Sequence, residues 1–415
     1  MVALPGAGRV RRQTAGSAAQ HIGDAVDDAL LDIRFRPALQ QPTWDDESEV
    51  RRVRKELASR RPLVRAKDVR TLRTLLGRVA AGEAHVVQSG DCAEDPEERT
   101  PGDVLRKAAL LDLLAGTMKM ATHKPVVRVG RIAGQFCKPR SHPTERIGDL
   151  DLPVYRGHMV NRPEPAHDYR RHDARHILSG YLAASDIMER LGWRDPTVRS
   201  AIDAPVWTSH EALLLDYEIP MLRRDAAGQL FLSSTHWPWI GERTRQVDGA
   251  HVALLTAVVN PVACKIGPGT EVDELLALCA RLDPRREPGR LTLIARMGAE
   301  SVAVRLPPLV AAVRDAGHPV IWIADPMHGN TVITPEGLKT RFLESIAREI
   351  QDFQCVVRTG GGVAGGLHLE TTPDDVTECV VNESAVEQVG DKYTTFCDPR
   401  LNPAQAVAMA SVWQG

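Results

Sequence analysis

Residues 319–330, PVIWIADPMHGN, join an apolar run to a cluster of reactive side chains. Val320 to Ala324 is rich in β-branched and aromatic residues, which predicts a buried strand, and Asp325, His328 and Asn330 follow directly. A strand of this kind delivers polar groups to the end of a sheet. Other stretches do the same. HVVQSGDCAE (85–94) ends in Asp91, Cys92 and Glu94; GGLHLETT (365–372) carries His368 and Glu370; CDPRLN (397–402) holds Asp398 just before a last helix. Thiol, imidazole and carboxylate together are a ligand set for a divalent transition metal, and such a site is catalytic when one face stays open to substrate. Each residue alone has an ordinary use, a cysteine in a core or an aspartate capping a helix. Their recurrence at separate strand ends is what carries chemical weight.

Cations gather at the remaining strand ends. Arg131, Lys138, Arg140 and Ser141 follow the run 125–130, and His210 and Glu211 follow 204–208. Trp239, Glu242, Arg243 and Arg245 follow 229–234, Lys265 lies within 261–266, and Arg296 follows 291–295. Fixed guanidinium and ammonium groups at one mouth hold phosphate and carboxylate. The residues by themselves therefore point to a metal enzyme acting on phosphorylated, acidic small molecules. His172 and His176 are four apart, but they sit among Arg170, Arg171 and Arg175 and read as a solvated basic face.

Something must position these groups. Strands are expected at 85–89, 125–130, 204–208, 229–234, 261–266, 291–295, 319–324 and 365–370. Helices are expected between them, among them 271–282, with Thr270 and Asp273 resembling a capping box, and 337–354. A last helix over 403–413 opens with Asn402 as cap and Pro403 in its first turn. Eight strands alternating with helices predict an α/β fold, a (β/α)8 TIM barrel whose site lies at the C-terminal strand ends, with an open doubly wound sheet as the competitor. The expected organisation is a disordered arm over 1–28, a helical extension over 29–83, and a barrel over 84–415 with an irregular connection at 141–203. The extension takes its helical pattern from 46–80.

Bulk properties narrow the function. The chain has 415 residues, with 52 basic against 54 acidic side chains, so neither nucleic acid nor a membrane surface is an expected partner. No apolar run reaches the ~20 residues of a membrane span, and no signal-peptide pattern opens the chain. Seven scattered cysteines suit a reducing compartment, so a cytoplasmic protein is expected.

Taken in order, QQPTW, SGDCAE, VGRIAGQFCKPRS, TSHEALLLDYE, WIGERTRQVDGAH, NPVACKIGP, LTLIARMG, IWIADPMHGNT, GGLHLE, DVTEC and CDPRLN resemble the signature segments of type II 3-deoxy-D-arabino-heptulosonate 7-phosphate (DAHP) synthases. The resemblance runs from about Arg36 to Trp413. It implies a (β/α)8 barrel that condenses phosphoenolpyruvate with erythrose 4-phosphate at the entry to the shikimate pathway, using Mn2+ or Co2+. It implies Cys92, His328, Glu370 and Asp398 as metal ligands. Arg131, Lys138, Arg243, Lys265 and Arg296 would surround phosphoenolpyruvate, with Glu242 and Trp239 beside them. Arg140 and Ser141 would hold the aldehyde's phosphate, and Lys138, Lys265, Arg131 and His328 would be the catalytic groups. A homo-oligomer is implied too, with the leader and Trp44 as the expected interface elements. His158 stands where the family usually has Asp, which leaves a different sugar-phosphate aldehyde as an alternative acceptor. The short 141–210 connection resembles the branch serving specialised aromatic pathways such as phenazine biosynthesis, so weak or no inhibition by tryptophan is expected. A non-catalytic scaffold for a chorismate-using enzyme is the alternative of another class, and it predicts a broken ligand set.

Overall fold

The structure, a computed structural model, describes residues 32–194 and 204–414. Eight parallel strands close into a barrel: β1 (His85–Gly90), β2 (Val126–Arg131), β3 (Trp207–Glu211), β4 (Trp237–Ile240), β5 (Val262–Ile266), β6 (Leu291–Ala295), β7 (Ile321–Ala324) and β8 (Val363–Glu370). Each pairs with its neighbours in sequence, and β1 pairs with β8 to complete the ring. Four of these, β4 to β7, are near-continuous buried apolar runs, the signature of strands covered on both faces. The expected arm over 1–28 lies outside the described residues.

The fourth strand is not where the apolar pattern pointed. Leu230–Leu232 instead pairs antiparallel with Leu222–Arg224 in a hairpin, and the barrel takes Trp237–Ile240. The third strand likewise lies later than expected, at Trp207–Glu211 rather than 204–208, which makes Glu211 its last residue. Two further expectations change. The helix expected at 337–354 runs Leu343–Thr359, because Lys339–Arg341 pairs with Thr331–Ile333 in a second hairpin. Thr270 is no helix cap; its hydroxyl accepts from the Gly267 N–H at 3.2 Å. Asn402 does cap the last helix, Pro403–Ser411, in a capping box with Gln405.

The crossover between β3 and β4 has a single four-residue α-helix, Leu215–Glu218, followed by a 3-10 turn and the Leu222–Leu232 hairpin. The N-terminal extension covers the ground a longer helix would. Its first helix, Glu47–Ser59, is capped by Asp46 and buries Val50, Val53 and Leu57, spaced i, i+3, i+7 on one face. That face packs on the helix Arg175–Arg190 and on Leu215–Met221. The second helix, Ala66–Ala80, meets β1, β8 and the Pro288–Gly289 turn before β6, which sets it across the N-terminal mouth of the barrel. The opposite mouth is left for chemistry. Trp44 is spent within its own chain: its Nε1–H donates to Asp216 Oδ2 at 2.6 Å, and Arg54 Nε donates to the other oxygen at 2.7 Å. Replacing Trp44 with Ala is expected to lower stability by about 3 kcal/mol, and with Phe by only about 1 kcal/mol, because Phe keeps most of the buried ring and loses the bond. Urea midpoints of the two variants measure the difference.

Candidate active site

The strand ends converge. Arg131 is the last residue of β2, Glu211 of β3 and Glu370 of β8, and the register pairs Gly90 with both Arg131 and Glu370. In β8 one extra residue, Gly365, breaks the register with β7. Gly366 beyond it has φ of +156°, and a Cβ there would stand 1.7 Å from the Val86 carbonyl oxygen. His368 and Glu370 follow, two apart on one face.

Glu370 is fully buried and is the hub of the mouth. Its Oε1 accepts from Arg131 Nη2 at 2.9 Å, and its Oε2 accepts from Arg341 Nη1 at 2.8 Å. His328 Nε2 lies 3.2 Å from Oε1 and Lys138 Nζ 3.8 Å. Burial works against ionisation, but His328, Arg131, Arg341 and Lys138 hold the carboxyl well below the usual glutamate range. The ligand atoms of Cys92, Glu370 and Asp398 lie within 4.8 Å of one another. His328 stands outside that tight trio and reaches it through Glu370. Cys92 Sγ is 3.4 Å from Asp398 Oδ2, and Asp398 also faces Lys138 at 3.7 Å and Lys339 at 2.8 Å. Burial and the neighbouring Glu370 and Asp398 carboxylates push the Cys92 thiol well up.

Asp325 sets the His328 ring. Its carboxylate lies 2.8 Å from His328 Nδ1 and accepts from Lys265 Nζ at 2.9 Å. Burial opposes its charge, yet His328 and Lys265 keep it well below the ordinary aspartate range. Held at Nδ1 by Asp325, the ring presents Nε2 toward Glu370. Thiol, imidazole and two carboxylates around one point fit a borderline divalent metal.

Beside this cluster is a cavity of about 190 Å³ lined by Arg131, Lys138, Glu211, Trp239, Glu242, Arg243, Lys265, Arg296 and His328. Arg131 Nε is buried with no protein partner among the described residues, a donor left for an anion. Trp239 is a buried platform, with the Arg131 guanidinium 5.5 Å and the Lys265 ammonium 6.0 Å from its ring centre. Arg296 donates to the His328 carbonyl at 3.1 Å. At the rim Arg243 donates to the Ser141 hydroxyl at 2.8 Å, and Arg140 pairs with Glu145 at 3.1 Å. The residues that the resemblance implies for metal and phosphoenolpyruvate thus meet at this one mouth, whereas His210 faces Glu218 at 2.8 Å. His158 does not line the cavity; its Nδ1 meets the Tyr155 hydroxyl at 2.6 Å and its ring packs on Phe396. The Cys397 thiol, next in sequence, is in contact with Cys92.

Sequence reasoning missed Arg341 and Lys339, which come from an irregular hairpin with no periodic signal. It grouped Glu94 with possible ligands, but Glu94 turns away and accepts three backbone N–H groups, from Ala133 at 2.9 Å, Gly134 at 2.9 Å and Gln135 at 2.7 Å. That fixes the loop from Arg131 to Lys138. Glu94→Ala leaves those donors buried and bare and is expected to cost about 3 kcal/mol. Glu94→Gln keeps the oxygen serving Gly134 and Gln135 and is expected to cost about 1 kcal/mol. Equilibrium unfolding of both variants tests the order.

Residues 29–192 and 183–413 match the class-II DAHP synthetase family. The chain is 58% identical over 390 residues to a Pseudomonas fluorescens protein named "Probable phospho-2-dehydro-3-deoxyheptonate aldolase", covering 94% of this chain and 98% of that one. It is 39% identical to a phospho-2-dehydro-3-deoxyheptonate aldolase of Streptomyces coelicolor, covering 91% of this chain and 94% of that one. A Mycolicibacterium smegmatis protein of the same name is 37% identical, with 94% of each chain covered. A solved phospho-2-dehydro-3-deoxyheptonate aldolase from Francisella tularensis shares the fold, with a TM-score of 0.50 at 15% identity over 92% of this chain and 94% of that one. The chain belongs to the class-II DAHP synthetase family.

Proposed function

We propose that the chain is a 3-deoxy-7-phosphoheptulonate synthase that condenses phosphoenolpyruvate with erythrose 4-phosphate and water, releasing DAHP and phosphate. The observation that carries this reading is one mouth where Cys92, Glu370, Asp398 and His328 converge beside a cavity lined with fixed cations. Cys92, His328, Glu370 and Asp398 would hold the metal, for which Mn2+ or Co2+ is our expectation. A divalent cation there supplies Lewis-acid polarisation of the aldehyde oxygen.

The chain's own groups do the rest. Arg131, Lys265, Arg296 and Arg243 clamp the phosphate and carboxylate of phosphoenolpyruvate, so its enol carbon faces the aldehyde in a fixed pose. The Trp239 ring limits where that pose can sit. Water adds to the cationic carbon left by attack, and phosphate departs by C–O cleavage. The preorganised guanidinium and ammonium charges stabilise the developing negative charge on that phosphate. Glu211 is a buried carboxyl raised above the usual glutamate range by its burial, and it lines the same cavity. Arg140 and Ser141 at the rim suit the second phosphate.

We further read the enzyme as serving a specialised aromatic pathway and as only weakly inhibited by tryptophan. Support comes from the compact β2–β3 connection. Among its described residues it holds one hairpin, one four-residue turn of helix and the crossover helix Arg175–Arg190. Strong inhibition of the purified enzyme by tryptophan would overturn this.

The central test is phosphate release from phosphoenolpyruvate plus erythrose 4-phosphate after chelation, then with Mn2+ or Co2+ restored. Turnover is expected to return with the metal and to vanish in Cys92→Ala and His328→Ala. Metal-independent turnover would sink the reading. Apparent metal affinity is also expected to fall about tenfold per pH unit on acidification, because the raised Cys92 thiol must lose its proton to bind. A chelator competition run from pH 8 to 6 shows whether it does.

A further inference from the structure

Glu349 is a buried acid that the chemistry above does not use. It lies on the inner face of the helix Leu343–Thr359, almost without solvent exposure. Burial pushes this carboxyl up to about 8, and hydrogen-bond donors from two loops work against that shift. Its Oε1 accepts from the backbone N–H groups of Met297 at 3.0 Å and Gly298 at 2.8 Å. Its Oε2 accepts from Asn330 Nδ2 at 2.6 Å. Met297 and Gly298 directly follow Arg296 at the end of β6. Asn330 follows His328 by two residues in the loop after β7.

The two loops are joined in other ways at the same place. Asn330 Oδ1 accepts from the Ala299 N–H at 3.0 Å, and Asn330 Nδ2 also donates to the Pro326 carbonyl at 2.8 Å. Gly298, with φ of +83°, lies against Gly329 so closely that a Cβ on Gly329 would stand 2.3 Å from Gly298 N. Arg296 completes the link by donating to the His328 carbonyl. The spacing between Arg296 and His328 is therefore set from behind by one carboxylate on a rigid helix.

We propose that Glu349 is a positioning residue: it clamps the β6 and β7 loops together so that the Arg296 guanidinium meets phosphoenolpyruvate and the His328 ring meets the metal in register. The inference rests on the reading of Arg296 and His328 given above. Glutamine at this position keeps the volume but brings an NH2 group to a site that takes only donors. It must face either Asn330 or the Met297 and Gly298 N–H groups.

The test measures KM for each substrate, kcat, and Mn2+ affinity by chelator competition in Glu349→Gln, Asn330→Ala, the double variant and Arg296→Ala. Glu349→Gln, folded by circular dichroism, is expected to raise KM for phosphoenolpyruvate about tenfold and to weaken Mn2+ binding, with KM for the aldehyde unchanged. Asn330→Ala is expected to give a smaller rise, and the double variant no more than Glu349→Gln alone, since the two share one clamp. A folded Glu349→Gln enzyme with unchanged phosphoenolpyruvate KM and Mn2+ affinity would overturn the proposal. If Glu349→Gln does not fold, Asn330→Ala with unchanged values overturns it. Arg296→Ala with an unchanged KM for phosphoenolpyruvate would instead overturn the reading of Arg296 on which the clamp depends.

Discussion

A fully buried carboxylate governs the mouth of this barrel. Glu370 stays ionised only because Arg131, Arg341 and Lys138 surround it, with His328 alongside. An unpaired charge at that depth would be prohibitive, and removing one partner of a buried pair typically costs about 3–5 kcal/mol. The partners come from β2, from the hairpin strand Lys339–Arg341, from the loop after β2 and from the loop after β7. One charge thus obliges four separate segments to meet. The cavity beside it inherits their cations.

The same logic extends outward through acids that bond backbone rather than cations. Glu94 gathers three N–H groups of the loop bearing Lys138, and Glu349 gathers two from the loop bearing Arg296. Loops at a barrel mouth must be rigid to hold a substrate in register, yet they have no sheet to supply their hydrogen bonds. A buried carboxylate reaching up from a helix or a strand end supplies those bonds with one side chain. Stability and function are then hard to separate at such positions, which is why substrate-specific KM values discriminate better than activity alone.

Much of this was legible in the sequence, for a physical reason. A buried parallel strand shows as an apolar run, so polar groups at its end stand out, as Asp325 and His328 do after IWIA and Glu370 does after GLHL. The fourth strand was not legible. Trp237–Ile240 contains Pro238, which normally argues against a central strand, while the nearby Leu230–Leu232 offers a better β pattern that the chain uses in a hairpin. Arg341 was missed for a similar reason, since a three-residue strand has no period to read. Glu94 and Glu349 were missed as structural acids because their partners are backbone N–H groups of distant loops, and sequence carries no mark of that pairing.

The central claim, that Cys92 and Glu370 close on one metal at this mouth, is most directly tested by titrating metal-free protein with Co2+ and following near-ultraviolet absorption. A thiolate–cobalt charge-transfer band saturating at one Co2+ per chain, and absent in Cys92→Ser, is the expected result. A band that survives in Cys92→Ser, or no band in a protein that turns over with Co2+, would contradict the account.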